Sequence, residues 1–330
     1  MVTIFALACS MHQIMGRYMD KAIDLRYGVA APGIFVAGPR NGHGMNTGIV
    51  TISGVAEVAA DYDLFIFDLW GVVHDGVAVY PGAADCLRRL RARGKKVVLL
   101  SNAPRPSASV AGHLAEMGVA DELYDWLLTS GEATATTLAA QVPQPAYFHL
   151  GPERNQSTLD ACGGREVPLD EAELILCTGL FDDDVDQAAD YRDMLLAAIG
   201  RDVPLVCANP DVVVMRGEQM VPCAGAVAAL YEELGGQVRR FGKPFPEIFD
   251  RLFAASPEIP RDRAVMVGDG LATDIQGARR AGIDAIWITG GIHAGEVGMR
   301  PDGGFDGDKM RQRAEQAGEQ PRAALSRLQW

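Results

Sequence analysis

The sequence has few cysteines and no long apolar run. Its six cysteines among 330 residues form no Cys-x-x-Cys pair and no regular spacing. This pattern argues against a disulfide framework or a cysteine-based zinc site. No stretch approaches the about 20 apolar residues that are needed to cross a bilayer, so we expect no membrane partner.

Basic residues are also in the minority. The chain carries 30 Lys and Arg against 43 Asp and Glu, a formal net charge of −13, and the two signs are mixed along its length. A nucleic-acid partner is therefore not expected, because such proteins present concentrated basic surfaces. The short apolar run at 2–9 has no Lys or Arg before it, which argues against a secretory signal and favours a cytoplasmic protein.

What is present is ordinary for a globular enzyme. Hydrophobic residues make up 48% and charged residues 22% of a chain that is long enough for a core domain and a second module. Residues 1–50 are rich in Met and Gly and show no helical or strand period. We expect them to form a poorly ordered N-terminal extension.

Short β-rich runs alternate with amphipathic helical runs, which is typical of parallel βαβ units. The runs at 64–67 and 97–100 share this pattern with those at 264–267 and 285–288. We therefore predict an α/β protein with a Rossmann-like parallel sheet. Its core is predicted at 51–142 and 211–297, with an inserted α/β domain at 143–210 and a peripheral tail at 298–330.

Polar residues follow the predicted strands where ligands bind to open α/β sheets. Asp68 follows the first strand and is placed to attack a substrate or to bind a metal. Ser101 and Asn102 follow the second strand, where hydroxyl and amide groups can meet a phosphoryl oxygen. Each of these residues is also typical of simple turn and cap chemistry.

Two later segments add a cation and two more carboxylates. Lys243 lies in Gly242-Lys243-Pro244 and is suited to neutralising phosphate charge. Asp269 and Asp274 lie five residues apart around glycine, and such oxygen donors suit octahedral Mg²⁺. Alone, the second segment is equally consistent with a capped helix start.

Four segments, in this order, resemble the four motifs of the haloacid dehalogenase (HAD) superfamily. They are the strand with Asp68, the strand with Ser101, Lys243-Pro244, and Gly268-Asp269 with Thr273-Asp274. The inserted domain, the segment 129–135 and Asn209-Pro210-Asp211 are similar to the class IIA branch of NagD-like and 4-nitrophenylphosphatase-like proteins. The segment 67–76, with Asp68-Leu69-Trp70-Gly71-Val72-Val73-His74-Asp75-Gly76, looks closest to an uncharacterised bacterial subgroup. The resemblance covers about residues 53–297.

The resemblance implies a Mg²⁺-dependent hydrolase in which Asp68 attacks phosphorus and forms an aspartyl-phosphate. Asp68, the Trp70 carbonyl and Asp269 would hold Mg²⁺, with Asp274 nearby. Ser101, Asn102 and Lys243 would hold the phosphoryl oxygens, and the class IIA cap would close over the site.

Trp70 departs from the family pattern, because phosphatases of this superfamily usually have an aspartate there as the general acid and base. Indole cannot do either job. His74 or Asp75 could substitute for it, although a hydrogen bond within the loop is the simpler role for both. Trp70 itself could be a packed aromatic residue or one wall of the substrate pocket.

The function implied by the resemblance is hydrolysis of a small phosphomonoester. Carbon–halogen hydrolysis is an alternative, since dehalogenases of the superfamily also lack that aspartate, but the cap pattern argues against it. A protein that binds a phosphorylated ligand with vestigial activity is a further alternative. Relatives with cap-mediated dimers suggest a homodimer.

Overall fold

The structure is a computed structural model that describes residues 48–217 and 219–330. The predicted N-terminal extension, with its apolar run at 2–9, lies outside the described residues except for its last three positions. Val50, the last residue of that predicted extension, belongs to the first strand. The five cysteines within the described residues are free and buried, as expected for reduced core thiols.

A seven-stranded sheet in which every pairing is parallel forms the main layer of the protein. In spatial order its strands are β1 (Val50–Thr51), β14 (Ala323–Leu325), β13 (Asp284–Ile288), β12 (Ala264–Gly268), β2 (Leu64–Phe67), β3 (Lys96–Ser101) and β4 (Trp126–Thr129). This is the Rossmann-like α/β core that the sequence predicts. Strands β2, β3 and β12 lie in the middle, so their carboxyl ends share one edge.

The central strands are buried on both faces, as parallel sheets require. Alternate residues enter two different apolar clusters: Leu64 and Ile66 of β2 face one cluster, whereas Phe65 and Phe67 face the other. All four are inaccessible to solvent. The continuous apolar run at 64–67 is thus explained by a strand that is covered on both faces.

The described residues form nine α-helices. They are α1 (Ala83–Ala92), α2 (Ser107–Glu116), α3 (Ser130–Ala139), α4 (Gln156–Cys162), α5 (Arg192–Ile199), α6 (Ala224–Glu233), α7 (Pro246–Ala254), α8 (Gln276–Ala281) and α9 (Gly307–Gln316). Among the residues described, no helix combines the length and apolarity that crossing a bilayer requires.

A second, five-stranded parallel sheet is inserted after α3. Its spatial order is β11 (Val238–Arg240), β8 (Leu205–Cys207), β7 (Leu174–Cys177), β5 (Ala146–Leu150) and β6 (Arg165–Glu166). An antiparallel hairpin of β9 (Val213–Arg216) and β10 (Gln219–Pro222) follows β8. We call the segment from β5 to β11 the cap.

The cap extends beyond its predicted end at residue 210. Strand β11 pairs with β8, and α6 buries Val227 and Tyr231 in the cap's own apolar cluster. The chain therefore returns to the main sheet only after Arg240. The predicted return at 211 is wrong because the apolar pattern of a helix does not reveal which sheet it covers.

The segment 298–330 is not peripheral, which corrects the predicted tail. Its strand β14 lies between β13 and β1 in the main sheet, and Leu325 and Leu328 are buried in the core. A three-residue strand is too short to show a period in a polar sequence. The C-terminal segment therefore completes the sheet.

We predict that Leu325→Ala lowers the free energy of unfolding by about 2–5 kcal/mol, because it opens a cavity beside β14. Leu196→Ala is the matched control, since Leu196 on α5 is 45% exposed and its loss should cost less than about 0.5 kcal/mol. Urea denaturation of both variants measures the difference. Equal midpoints for the two variants would contradict this account of the C-terminal strand.

Candidate active site

The carboxyl ends of β2 and β12 and the chain returning from the cap meet at one buried lysine. The Nζ atom of Lys243 lies 2.6 Å from Asp68 Oδ1 and 2.7 Å from Asp274 Oδ1. Its side chain is only 2% exposed, so these two carboxylates are needed to compensate the buried charge of the ammonium group. Their negative charges raise the pKa of Lys243 and keep it cationic, against the effect of burial.

Three carboxylates gather around this ammonium group. Oxygen atoms of Asp68, Asp269 and Asp274 all lie within 4.8 Å of one another, and all three residues are buried. Burial comes first in raising the pKa of each carboxyl, and repulsion from neighbouring carboxylates adds to it, from Asp211 in the case of Asp68. For Asp274 the resulting pKa is about 6. Three acids against one lysine leave an excess of negative charge.

This cluster fits a divalent cation. Carboxylate oxygens are the ligands that Mg²⁺ prefers, and the excess negative charge is what such an ion would neutralise. Asp274 Oδ1 is buried and accepts no well-aligned hydrogen bond, although it forms the ion pair with Lys243. Asp269 keeps Oδ1 free of hydrogen bonds to the described residues, because its one side-chain hydrogen bond, from the Ile292 N–H at 2.8 Å, ends on Oδ2.

Glycines make room for the cluster. A Cβ atom on Gly71 or on Gly291 would lie 2.0 Å from Asp269 Oδ2, and one on Gly268 would lie 2.2 Å from Asp274 Cβ. Gly71 also has φ +75°, which favours glycine. Larger residues at these positions would push the carboxylates apart.

Ser101 and Asn102 lie at the end of β3, next to β2, but their side chains differ in availability. The Ser101 hydroxyl accepts one hydrogen bond, from the Ala103 N–H at 3.1 Å. The Asn102 amide is fully used: its Oδ1 accepts the Lys243 N–H at 2.8 Å, and its Nδ2 donates to Lys243 O at 3.1 Å and Asp211 Oδ1 at 2.8 Å. Asn102 therefore holds the lysine loop in place.

The loop after Asp68 keeps both predicted substitute acids occupied. His74 Nδ1 accepts the Gly76 N–H at 2.9 Å, and burial lowers the pKa of His74 to about 4, so the imidazole is neutral. Asp75 Oδ1 accepts the N–H groups of Val77 and Ala78, which lower its pKa. Both residues thus have the loop role that was the simpler alternative.

Trp70 packs within the same loop. Its ring lies 5.3 Å from that of His74, with an interplanar angle of 64°. A Cβ on Gly76 would lie 2.3 Å from the indole, so glycine is needed where the loop crosses the ring. Trp70 is only partly buried, so packing in the loop leaves part of it accessible.

Asp211 is a site residue whose role the sequence did not reveal. It lies in the cap and accepts the hydrogen bond from Asn102 Nδ2, just after β3. Burial raises its pKa to about 6. The Asn209-Pro210-Asp211 segment after β8 was the available signal, but only the fold shows that this strand end faces β3.

Models of two known families match the chain. Residues 65–165 match the haloacid dehalogenase-like hydrolases, and residues 240–305 match a HAD-hydrolase-like model. A hydrolase of the haloacid dehalogenase-like family from Brucella suis 1330 has a similar crystal structure. It is 35% identical with a TM-score of 0.74, and the match covers 84% of this chain and 99% of that one.

Mycobacterial phosphatases are similar to the chain in sequence and in structure. The D-glycerol 3-phosphate phosphatase of Mycobacterium tuberculosis is 30% identical over 242 residues, which are 72% of this chain and 65% of that protein. This chain thus spans slightly less than two thirds of that relative's length. The structure of a glycerol phosphate phosphatase from the same organism in complex with magnesium is 26% identical with a TM-score of 0.57, covering 77% of this chain and 78% of that one.

We predict that Gly291→Ala weakens Mg²⁺ binding at least about tenfold, since the new methyl group collides with Asp269. Gly295→Ala is the control in the same loop, because nothing lies within 4 Å of a Cβ there. The increase in melting temperature with Mg²⁺ concentration reports the affinity of each variant. Identical Mg²⁺ dependence in both variants would show that Asp269 is not a ligand.

Proposed function

The chain belongs to the haloacid dehalogenase-like hydrolases, and we propose that it is a Mg²⁺-dependent phosphatase of a small phosphomonoester with Asp68 as its nucleophile. The observation that carries this proposal is the ion pair of Asp68 with the buried Lys243 inside a three-carboxylate cluster. A nucleophilic carboxylate next to a fixed cation is what phosphoryl transfer requires. The phosphatase relative supports the same reaction class.

Asp68 would attack phosphorus through one carboxylate oxygen and form an aspartyl-phosphate, which water then hydrolyses. Splitting the displacement into two steps is the ordinary advantage of a covalent nucleophile. Lys243 Nζ, 2.6 Å from Asp68, favours the ionised form of that carboxylate against the effect of burial and offsets charge on the transferred group. The Ser101 hydroxyl and the backbone N–H of Asn102 would bind the phosphoryl oxygens, because the Asn102 amide is already occupied.

Asp68, Asp269 and the Trp70 carbonyl would hold Mg²⁺, with Asp274 in a supporting position. When bound, the ion supplies charge neutralisation for the phosphoryl oxygens. The carboxylate cluster and the glycines around Asp269 support this assignment. Dimerisation through the cap stays a prediction.

We predict that wild type releases phosphate from small phosphomonoesters only with Mg²⁺, and that Asp68→Asn lowers the turnover number at least about 10³-fold. The amide preserves shape but is no nucleophile. Phosphate release over a substrate panel, with and without Mg²⁺, measures both effects. Asp61→Asn, an exposed acid on the same domain, is the control.

Two results would redirect the proposal. If Asp68→Asn retained wild-type turnover, the nucleophile would have to be another residue. If wild type bound phosphorylated ligands without releasing phosphate, the protein would be a binding protein or would act on a non-phosphate bond.

We further predict that Trp70→Asp increases turnover of alkyl phosphates about tenfold or more, because it adds an acid on the nucleophile's own loop, two residues after the nucleophile. Trp70→Phe is the matched control, since it removes the indole but adds no acid. Steady-state kinetics on glycerol phosphate measure the gain. An equal change in both variants would show that the shape of the indole, rather than the missing acid, limits turnover.

A further inference from the structure

The loop that follows Asp68 supplies no available proton donor. Trp70 has no acidic group. His74 is a neutral imidazole, because burial lowers its pKa to about 4 and Nδ1 accepts from Gly76. The backbone N–H groups of Ala78 and Val77 lower the pKa of Asp75 and favour its ionised form. An alkoxide is a poor leaving group unless it is protonated as the bond to phosphorus breaks. A donor for alkyl phosphates has to come from another element.

Asp211 is brought to the site by the chain that leaves β8. Its backbone N–H donates to Asn209 Oδ1 at 3.0 Å, and its carbonyl accepts the Gly225 N–H at 3.0 Å. A Cβ on Gly225 would lie 2.3 Å from Pro210 O and 2.4 Å from Asp211 O. The backbone of Asp211 is thus fixed against the start of α6.

The side chain of Asn102 links the carboxyl group of Asp211 to Lys243. Asp211 Oδ1 accepts from Asn102 Nδ2 at 2.8 Å, and the same amide binds the backbone of Lys243. The side chain of Lys243 in turn contacts Asp68 through Nζ. Asp211 Oδ2 has no hydrogen-bond partner within the described part of the chain. This second oxygen is available to carry a proton, and the residue is only partly buried.

The charges around Asp211 favour a proton that can be exchanged near neutral pH. Burial is the main cause that raises its pKa to about 6, and Asp274 adds to it, whereas Lys243 and the hydrogen bond from Asn102 oppose it. Asp68 also interacts with it, as do the buried thiols Cys207 and Cys223. General acids work best with pKa values near the working pH.

We propose that Asp211, supplied by the cap, is the proton donor that replaces the missing acid at position 70. The proposal rests on the phosphatase function above. As Asp68 bonds to phosphorus and the ester P–O bond breaks, the leaving oxygen takes the proton from Asp211. Asp211 then takes a proton from the water that attacks the aspartyl-phosphate, which releases phosphate and restores both carboxyl groups.

Asp211→Asn removes the acidic proton but preserves the packing, because asparagine keeps an oxygen that can accept the hydrogen bond from Asn102. Two substrates separate the roles: glycerol phosphate needs a protonated leaving oxygen, whereas 4-nitrophenolate leaves without one. We expect kcat/KM to fall about 10²–10⁴-fold for glycerol phosphate and only a few-fold for 4-nitrophenyl phosphate. Asp170→Asn, an exposed acid of the cap, is the control.

The pH dependence gives an independent readout. With glycerol phosphate, kcat/KM of wild type should fall as the pH rises through about 6, because the donor loses its proton. This fall should be absent from the residual activity of Asp211→Asn.

Equal losses on both substrates would make Asp211 a positioning residue that acts through Asn102 and would overturn the proposal, as would unchanged kinetics. If wild type hydrolysed neither substrate, the phosphatase function would fail first. That result is distinct from an active wild type in which Asp211→Asn shows no dependence on the leaving group.

Discussion

The burial of the Lys243 ammonium between two carboxylates is the interaction on which the arrangement of the site depends. An unpaired charge in this position would be strongly unfavourable, so the chain after the cap has to return to a point where Asp68 and Asp274 both reach Nζ. Asp68 ends β2, and Asp274 lies in the turn Leu271–Ile275 after β12. One lysine therefore joins three separate segments.

Asn102 extends this network into the cap. Its amide fixes the Lys243 backbone with two hydrogen bonds and uses its remaining donor on Asp211. A second connection joins the hairpin of the cap to the loop after β2, where the Gly217 N–H donates to Asp75 O at 3.1 Å. The cap is thus connected to the loop after β2 and to the loop after β3, the two loops that surround the nucleophile.

The sequence predicted the core well because its signals are local. Runs such as 64–67 are apolar throughout and end in a polar residue, so strand, burial and site residue come from a few adjacent positions. The end of the cap, the strand at 323–325 and the role of Asp211 depend instead on which distant segments pair. Helix α6 has the same apolar pattern whichever sheet it covers, and Asn-Pro-Asp alone is a common turn sequence.

The role of Trp70 follows from how the site is divided between the loop after Asp68 and the cap. In the loop, the indole packs against His74 and over Gly76, and neutral His74 is committed to the loop by its hydrogen bond. The side chains of Trp70 and His74 therefore pack within the loop and do not act as acids. A carboxyl group supplied by the cap would separate nucleophile and acid onto two units, so that proton transfer requires the cap to be seated. Closure of the cap would then exclude water and deliver the proton in a single step.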